Sequence, residues 1–222
     1  EMRILQPGSM IQISHRSPDR FIHKALDIIK TGFGQPSCFN SGAIVQELLR
    51  QGKSIEDARN GGASGCVEAG AFGTEAYWLT GYFNLPKILE LTLYDGFDRV
   101  SGRQTGLKTG KASEFVTFNL LLDAFAKQVE YFAGIKIKGN NIISRIYSEQ
   151  LPAPFLSLLV DDCIKTGKDY NSGGARYNTT YIQGVGIGTL TDALTAIKYH
   201  VFDKQDVSMP ELMTALKADF EG

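Results

Sequence analysis

The chain has 222 residues, 43% of them hydrophobic and 21% charged, which is enough apolar material for a globular core and argues against disorder. Its 23 basic and 24 acidic residues leave a net charge of -1, so no electrostatic footprint exists for nucleic acid or an anionic membrane surface. Its apolar stretches fall short of the roughly 18 residues that a membrane-crossing helix needs, so no membrane partner is expected.

Cys38, Cys66 and Cys163 form no CxxC pair and no zinc-type spacing with His15, His23 or His200. No metal is expected, and an odd cysteine count argues against a disulfide framework and fits a reducing compartment. The first residue is Glu1, with no basic-then-apolar leader behind it, and the chain is expected to be an internal piece of a longer protein.

Along the chain, Ser17-Pro18 supplies an N-cap followed by proline at the first helical position. Phe21, Ile22, Ala25, Leu26, Ile28 and Ile29 then recur at helical spacing, predicting a helix over 18–31. A second helix is predicted over 42–51, and Ser54-Ile55-Glu56-Asp57 has the form of a capped start to a short third one. Residues 76–93 are mostly apolar but broken by Gly81 and Pro86, so a buried helix is expected over at least 87–93.

Glycines at 96, 102, 106 and 110 among charged neighbours read as an exposed loop or hairpin over 94–111. Phe115, Phe118, Leu121, Leu122, Phe125, Val129 and Phe132 mark an amphipathic helix over 112–133 that packs on one face. Pro152 and Pro154 introduce a helix over about 155–166, ended by Gly167, with Cys163 inside it as a small buried residue. The Asn-, Tyr-, Thr- and Gly-rich stretch 169–188 reads as turns around one strand at Tyr181-Ile182-Gln183. A helix over about 190–202 follows, and Ser208-Met209-Pro210-Glu211 is a capping box for the last one. Helices alternating with short strand-like pieces give an α/β fold class.

The densest chemical cue is Gly61-Gly62-Ala63-Ser64-Gly65-Cys66-Val67-Glu68-Ala69-Gly70, whose small residues allow sharp turns and close approach by another group. In an extended segment Cys66 and Glu68, two apart, would project to one side and set a thiol beside a carboxylate. The nearest charges in sequence, Glu68 and Glu75, favour the neutral thiol, and only Arg59 stands nearby as a cation. That disfavours nucleophilic thiolate chemistry and leaves hydrogen-atom chemistry open, beside the plainer reading of a buried structural cysteine. Gly184-Val185-Gly186-Ile187-Gly188 lacks the lysine of a P-loop and reads as a tight strand-to-helix connection.

Five segments in order resemble the glycyl radical enzyme superfamily, the pyruvate formate-lyase-like group. They are Ser54-Ile55-Glu56-Asp57-Ala58-Arg59, Gly65-Cys66-Val67-Glu68, the run 84–93 from Asn84-Leu85-Pro86, Gly173-Gly174-Ala175-Arg176-Tyr177-Asn178, and Gln183-Gly184-Val185-Gly186. The likeness covers nearly the whole chain. Four further stretches point to the members that dehydrate trans-4-hydroxy-L-proline: residues 71–77, residues 79–84, Lys136-Ile137-Lys138-Gly139-Asn140-Asn141, and 177–184. A single Cys66 followed by Val67 departs from the paired cysteines of formate-producing members, and Ala69-Gly70 stands where glycerol and choline members carry Pro-Gln.

The resemblance implies a ten-stranded α/β barrel with Cys66 on a loop inside it, residues 1–222 forming its central part. It also implies a radical mechanism, with Cys66 as the hydrogen-abstracting thiol and Glu68 as the acid/base carboxylate. Tyr82 and Phe72 would line the substrate pocket. The radical glycine would lie on a C-terminal domain that this chain lacks, installed by an S-adenosylmethionine iron-sulfur activase. No cofactor is expected in the chain itself, which alone would be inactive, and the full-length protein would be a homodimer. A glycyl radical enzyme acting on a diol or amino alcohol, or a non-catalytic fragment, stands as the alternative.

Overall fold

Strand β1 (Met10–Ile13) and strand β2 (Ser37–Asn40) pair in parallel, Met10 opposite Ser37 and Ile13 opposite Asn40. Their connection carries helix α1 (Asp19–Ile28), as a parallel pair requires a crossover. These elements belong to a computed structural model in which residues 8–65 and 67–221 are described, Leu79 and Thr80 by backbone alone. Helix α1 is shorter than the predicted 18–31 at both ends. Pro18 is itself the extended N-cap, the Ser17 hydroxyl instead accepts from Ser14 N at 3.1 Å, and Gly32 at φ +80° breaks the helical path in the π-type turn Ile29–Phe33.

Helix α2 (Ser41–Arg50) starts where Asn40 Oδ1 accepts from Ala43 N at 3.1 Å, and α3 (Ile55–Arg59) where Ser54 Oγ accepts from Asp57 N at 3.1 Å. Ile44, Leu48 and Ala58 from these helices close a core with Ala63 and Ala69. Those two alanines belong to the antiparallel pair β3 (Gly62–Ser64) and β4 (Glu68–Gly70).

The apolar run that follows is helical only in its second half. Its first half is strand β5 (Glu75–Asn84), which pairs with the later β8, and α4 (Leu85–Leu93) begins under the Asn84 cap with Pro86 in its first turn. The glycine-rich stretch forms a minimal hairpin, β6 (Phe97–Asp98) with β7 (Arg103–Gln104). The predicted amphipathic helix over 112–133 starts later and runs further, as α5 (Phe118–Gln150), after a 3-10 turn over Ala112–Glu114. Glycines 134 and 139 do not interrupt it.

The helix expected over 155–166 is two pieces, α6 (Pro154–Leu159) and α7 (Cys163–Thr166). They break where Asp162 takes φ +75° and gives its carboxylate to Arg176 Nε at 3.0 Å. Cys163 is buried beside Ala76 and Ala175, and burial pushes its thiol pKa up, consistent with an apolar structural role. Strand β8 (Tyr177–Val185) is longer than the three residues predicted. It turns through Gly186 at φ +79° directly into α8 (Ile187–Ile197), the tight connection expected of the glycine triplet. After a π-type turn over Lys198–Asp203, the Ser208–Glu211 capping box opens α9 (Met209–Lys217) with both of its arms made.

The fold is therefore mixed α/β, with four two-stranded sheets among the described residues. No described helix is long and apolar enough to cross a membrane. The chain divides into two compact units: residues up to 78 with 144–181, and 79–143 with 182 onward. The second unit has its own core, in which Leu89, Leu93, Leu121, Leu190, Ile197 and Met209 meet. There the fully buried Gln128 amide holds the glycine-rich loop, accepting from Leu107 N at 3.0 Å and donating to Leu107 O at 2.6 Å.

Candidate active site

The small residues of 61–70 fold as the β3–β4 hairpin, with Gly62 opposite Gly70, Ala63 opposite Ala69 and Ser64 opposite Glu68. Residues 65–67 join the two strands. Cys66, the residue expected to carry the thiol, lies outside the described residues.

Its sequence neighbours form one side of a site. The Glu68 carboxylate accepts from Val67 N at 3.1 Å, and its Oε2 stands 2.7 Å from where a side chain on Gly65 would begin. Gly65 is at φ +60°, so glycine is required there twice, by conformation and by the carboxylate packed against it. The carboxylate is thereby held against both residues flanking position 66.

The root of the hairpin is equally tight. A side chain on Gly62 would begin 2.8 Å from the Phe72 ring, and one on Gly70 would begin 2.8 Å from the Tyr77 ring. Phe72 thus sits at the hairpin root, with about half of its surface exposed. Tyr82 is exposed on β5 and falls in the second unit.

Below the hairpin, side chains of β5 and β8 take up the backbone that follows Glu68. The Tyr181 hydroxyl donates a very short hydrogen bond to the carbonyl of Ala69. Tyr77, whose ring lies on Gly70, meets Tyr181 edge to face at 5.5 Å between centroids. Ala71 N donates to Glu75 Oε2 at 2.8 Å.

Glu75 is itself wholly buried, and its Oε1 accepts from the Thr179 hydroxyl at 2.6 Å and pairs with Lys53 Nζ at 3.1 Å. Lys53 is buried too, with Gln51 Oε1 in contact and the Tyr177 ring 5.7 Å away. Glu75, one of the two negative charges nearest Cys66 in sequence, is thus a paired charge in the structure. Its charge is answered by Lys53, a partner 22 residues earlier that no local pattern indicates. Burial, followed by the charges of Glu75 and Glu47, pushes the Tyr181 phenol up to about 12, so it remains a neutral donor.

A second polar cluster joins α3 to β8. Asp57 accepts from the Tyr177 hydroxyl at 2.8 Å and from Arg176 at 3.0 and 3.3 Å, while Arg176 also reaches Asp161 at 3.3 Å and Asp162 at 3.0 Å. The Tyr177 hydrogen bond, ahead of Arg176, holds the Asp57 carboxyl below its ordinary range, and Arg176 does the same to Asp162. Lowered folded-state values mean that the unfolded chain binds protons first. The cluster's stabilisation is therefore complete above the ordinary carboxylate pKa, about 4, and is lost as pH falls through the lowered folded values. Asp57→Asn is expected to lower the urea midpoint at pH 7 and to flatten its decline below about pH 4. An acid limb as steep as the parent's would show that this cluster does not set it.

Sequence reasoning reached Cys66 and Glu68 through the glycine-rich loop but missed the residues that hold the loop. The available signal was the alternation Tyr177, Thr179, Tyr181, which puts three polar-tipped side chains on one face of a strand.

The pyruvate formate lyase-like family model matches residues 1–222. Trans-4-hydroxy-L-proline dehydratase of Clostridioides difficile is 56% identical over 222 residues, covering 100% of this chain and 28% of that protein. The crystal structure of hydroxyproline dehydratase from Clostridioides difficile with trans-4-hydroxy-L-proline bound superposes with a TM-score of 0.95 at 56% identity, over 99% of this chain and 28% of the other. The glycerol-bound B12-independent glycerol dehydratase of Clostridium butyricum gives a TM-score of 0.89 at 37% identity, over 98% of this chain and 28% of the other. The chain thus spans about 28% of the length of these relatives.

Proposed function

The chain belongs to the pyruvate formate lyase-like family, and on that premise we propose that it is the central part of the barrel domain of a glycyl radical dehydratase acting on trans-4-hydroxy-L-proline. One observation carries the substrate: 56% identity over the whole chain, with a TM-score of 0.95, to an enzyme solved with that molecule bound.

In this reading the radical comes from a glycine on a C-terminal segment outside the chain, placed there by an activase that uses S-adenosylmethionine and an iron-sulfur cluster. The glycyl radical takes the hydrogen of the Cys66 thiol, and the resulting thiyl takes a hydrogen atom from the ring carbon next to the substrate nitrogen, breaking C–H and re-forming S–H. The neighbouring C–O bond then breaks, the hydroxyl leaving as water with a proton managed by Glu68. Return of the hydrogen atom from Cys66 closes the cycle and gives pyrroline-5-carboxylate. Phe72 and Tyr82 line the pocket in this reading, and the catalytic loop lies within a ten-stranded barrel. The full-length protein would be a homodimer working anaerobically in the cytoplasm, with the activase as its partner.

The likeness to glycerol dehydratase supports a second reading, in which a diol or amino alcohol is dehydrated at the same loop. Full-length protein activated without oxygen and supplied with trans-4-hydroxy-L-proline is expected to form pyrroline-5-carboxylate. Absence of product at normal radical content would overturn the substrate, and water loss from a diol instead would establish the second reading.

A further inference from the structure

We propose that Tyr181 is a positioning residue for Glu68, its hydroxyl fixing the strand that follows the carboxylate and so the place from which the carboxylate handles its proton. The inference rests on the reading of Glu68 as the acid/base group.

Strand β4 has three residues, and after Glu68 it carries only Ala69 and Gly70, whose side chains offer almost nothing to grip. A two-stranded hairpin of this size has little stability of its own. Its shape must be imposed on the backbone. Three consecutive positions after Glu68 are each held by a different side chain: Ala69 O by the Tyr181 hydroxyl, Gly70 by the Tyr77 ring, and Ala71 N by Glu75.

Of these three contacts, Tyr181 acts nearest to Glu68. The bond is directional and partly buried, and it ends on the carbonyl of the very next residue. The ring packs edge to face on Tyr77, which itself covers Gly70, so the two contacts brace adjacent residues of the strand. With the phenol pKa raised to about 12, the donor persists over the working pH range. Removing the hydroxyl takes its bond from the Ala69 peptide, along with its hydrogen bond with Gln51, while leaving the ring's packing in place, and Glu68 is attached to that peptide.

The test uses the activated full-length protein in D2O, where the thiol that Cys66 gains on abstraction exchanges with solvent while it waits, so that a hydrogen atom returned after exchange carries deuterium. Tyr181→Phe is expected to keep the parent glycyl radical signal and to lose water about tenfold more slowly, the scale of one unsatisfied buried partner. Recovered substrate should contain more deuterium per product formed, because abstraction and return continue while proton delivery falls behind. Glu68→Gln should shift the same ratio further.

Gln128→Leu, which unpairs Leu107 in the other unit, serves as a destabilised variant away from the hairpin and should show the parent deuterium ratio. If Glu68→Gln turns over at the parent rate, the acid/base reading itself has failed. If Glu68→Gln is impaired while Tyr181→Phe shows the parent ratio, whether its rate falls with stability or not, Tyr181 is a structural residue and the positioning inference is overturned.

Discussion

Replacing Cys66 by serine is expected to abolish product formation in the activated full-length protein while leaving its glycyl radical signal at parent strength. An alcohol O–H bond is stronger than a thiol S–H bond, so a carbon-centred radical cannot usefully take hydrogen from serine, and the hand-over stops one step before the substrate. The exchange alters a single side-chain atom, so the loss of stability should be small beside the loss of activity. The rate should fall by at least about 10⁴-fold, equivalent to more than about 5 kcal/mol of barrier. Electron paramagnetic resonance and product analysis on one sample separate the two effects. Product at anything near the parent rate would remove Cys66 from the mechanism, and loss of the radical signal would place its role in activation instead.

The second large effect is on stability. Lys53→Met leaves the Glu75 carboxylate buried without its counter-charge, holding only the bonds from Ala71 N and Thr179. Removing one partner of a buried pair costs about 3–5 kcal/mol, far more than the pair contributes over a neutral replacement of both. Urea unfolding should report a loss on that scale for Lys53→Met, and Lys53→Met with Glu75→Gln should recover a large part of it. A cost below about 1 kcal/mol, the range of exposed pairs, would mean that the carboxylate finds water or a proton easily and that the pair is not structural.

These two predictions concern residues of very different legibility. Features whose cause lies within a few residues could be read directly: the Ser54 and Ser208 caps, the stop at Gly167, and the strand-to-helix turn at Gly186. Cys66 and Glu68 stood out because a run of glycine and alanine around a thiol and a carboxylate is uncommon and resembles one superfamily. What failed or stayed open were features decided at a distance. The apolar stretch 76–84, for which no element was predicted, is a strand because β8 pairs with it, and hydropathy alone does not separate a buried strand from a buried helix. The predicted helix over 155–166 breaks because Arg176, 14 residues on, takes the Asp162 carboxylate. Helix α5 survives two interior glycines because propensity is a weak term beside packing. The partner of Glu75 could not be read from the sequence because Lys53 lies on a separate segment.

The hairpin's dependence on Tyr181 has a consequence for the order in which the molecule is made. Tyr181 follows Ala69 by 112 residues, and Thr179 follows Glu75 by 104. During synthesis the glycine-rich segment leaves the ribosome long before the strand that shapes it, and contacts of such separation form late because loop closure must come first. The hairpin is therefore expected to be among the last parts of the chain to acquire its shape, so that on the proposed reading the thiol would not meet its carboxylate until the scaffold around it is complete.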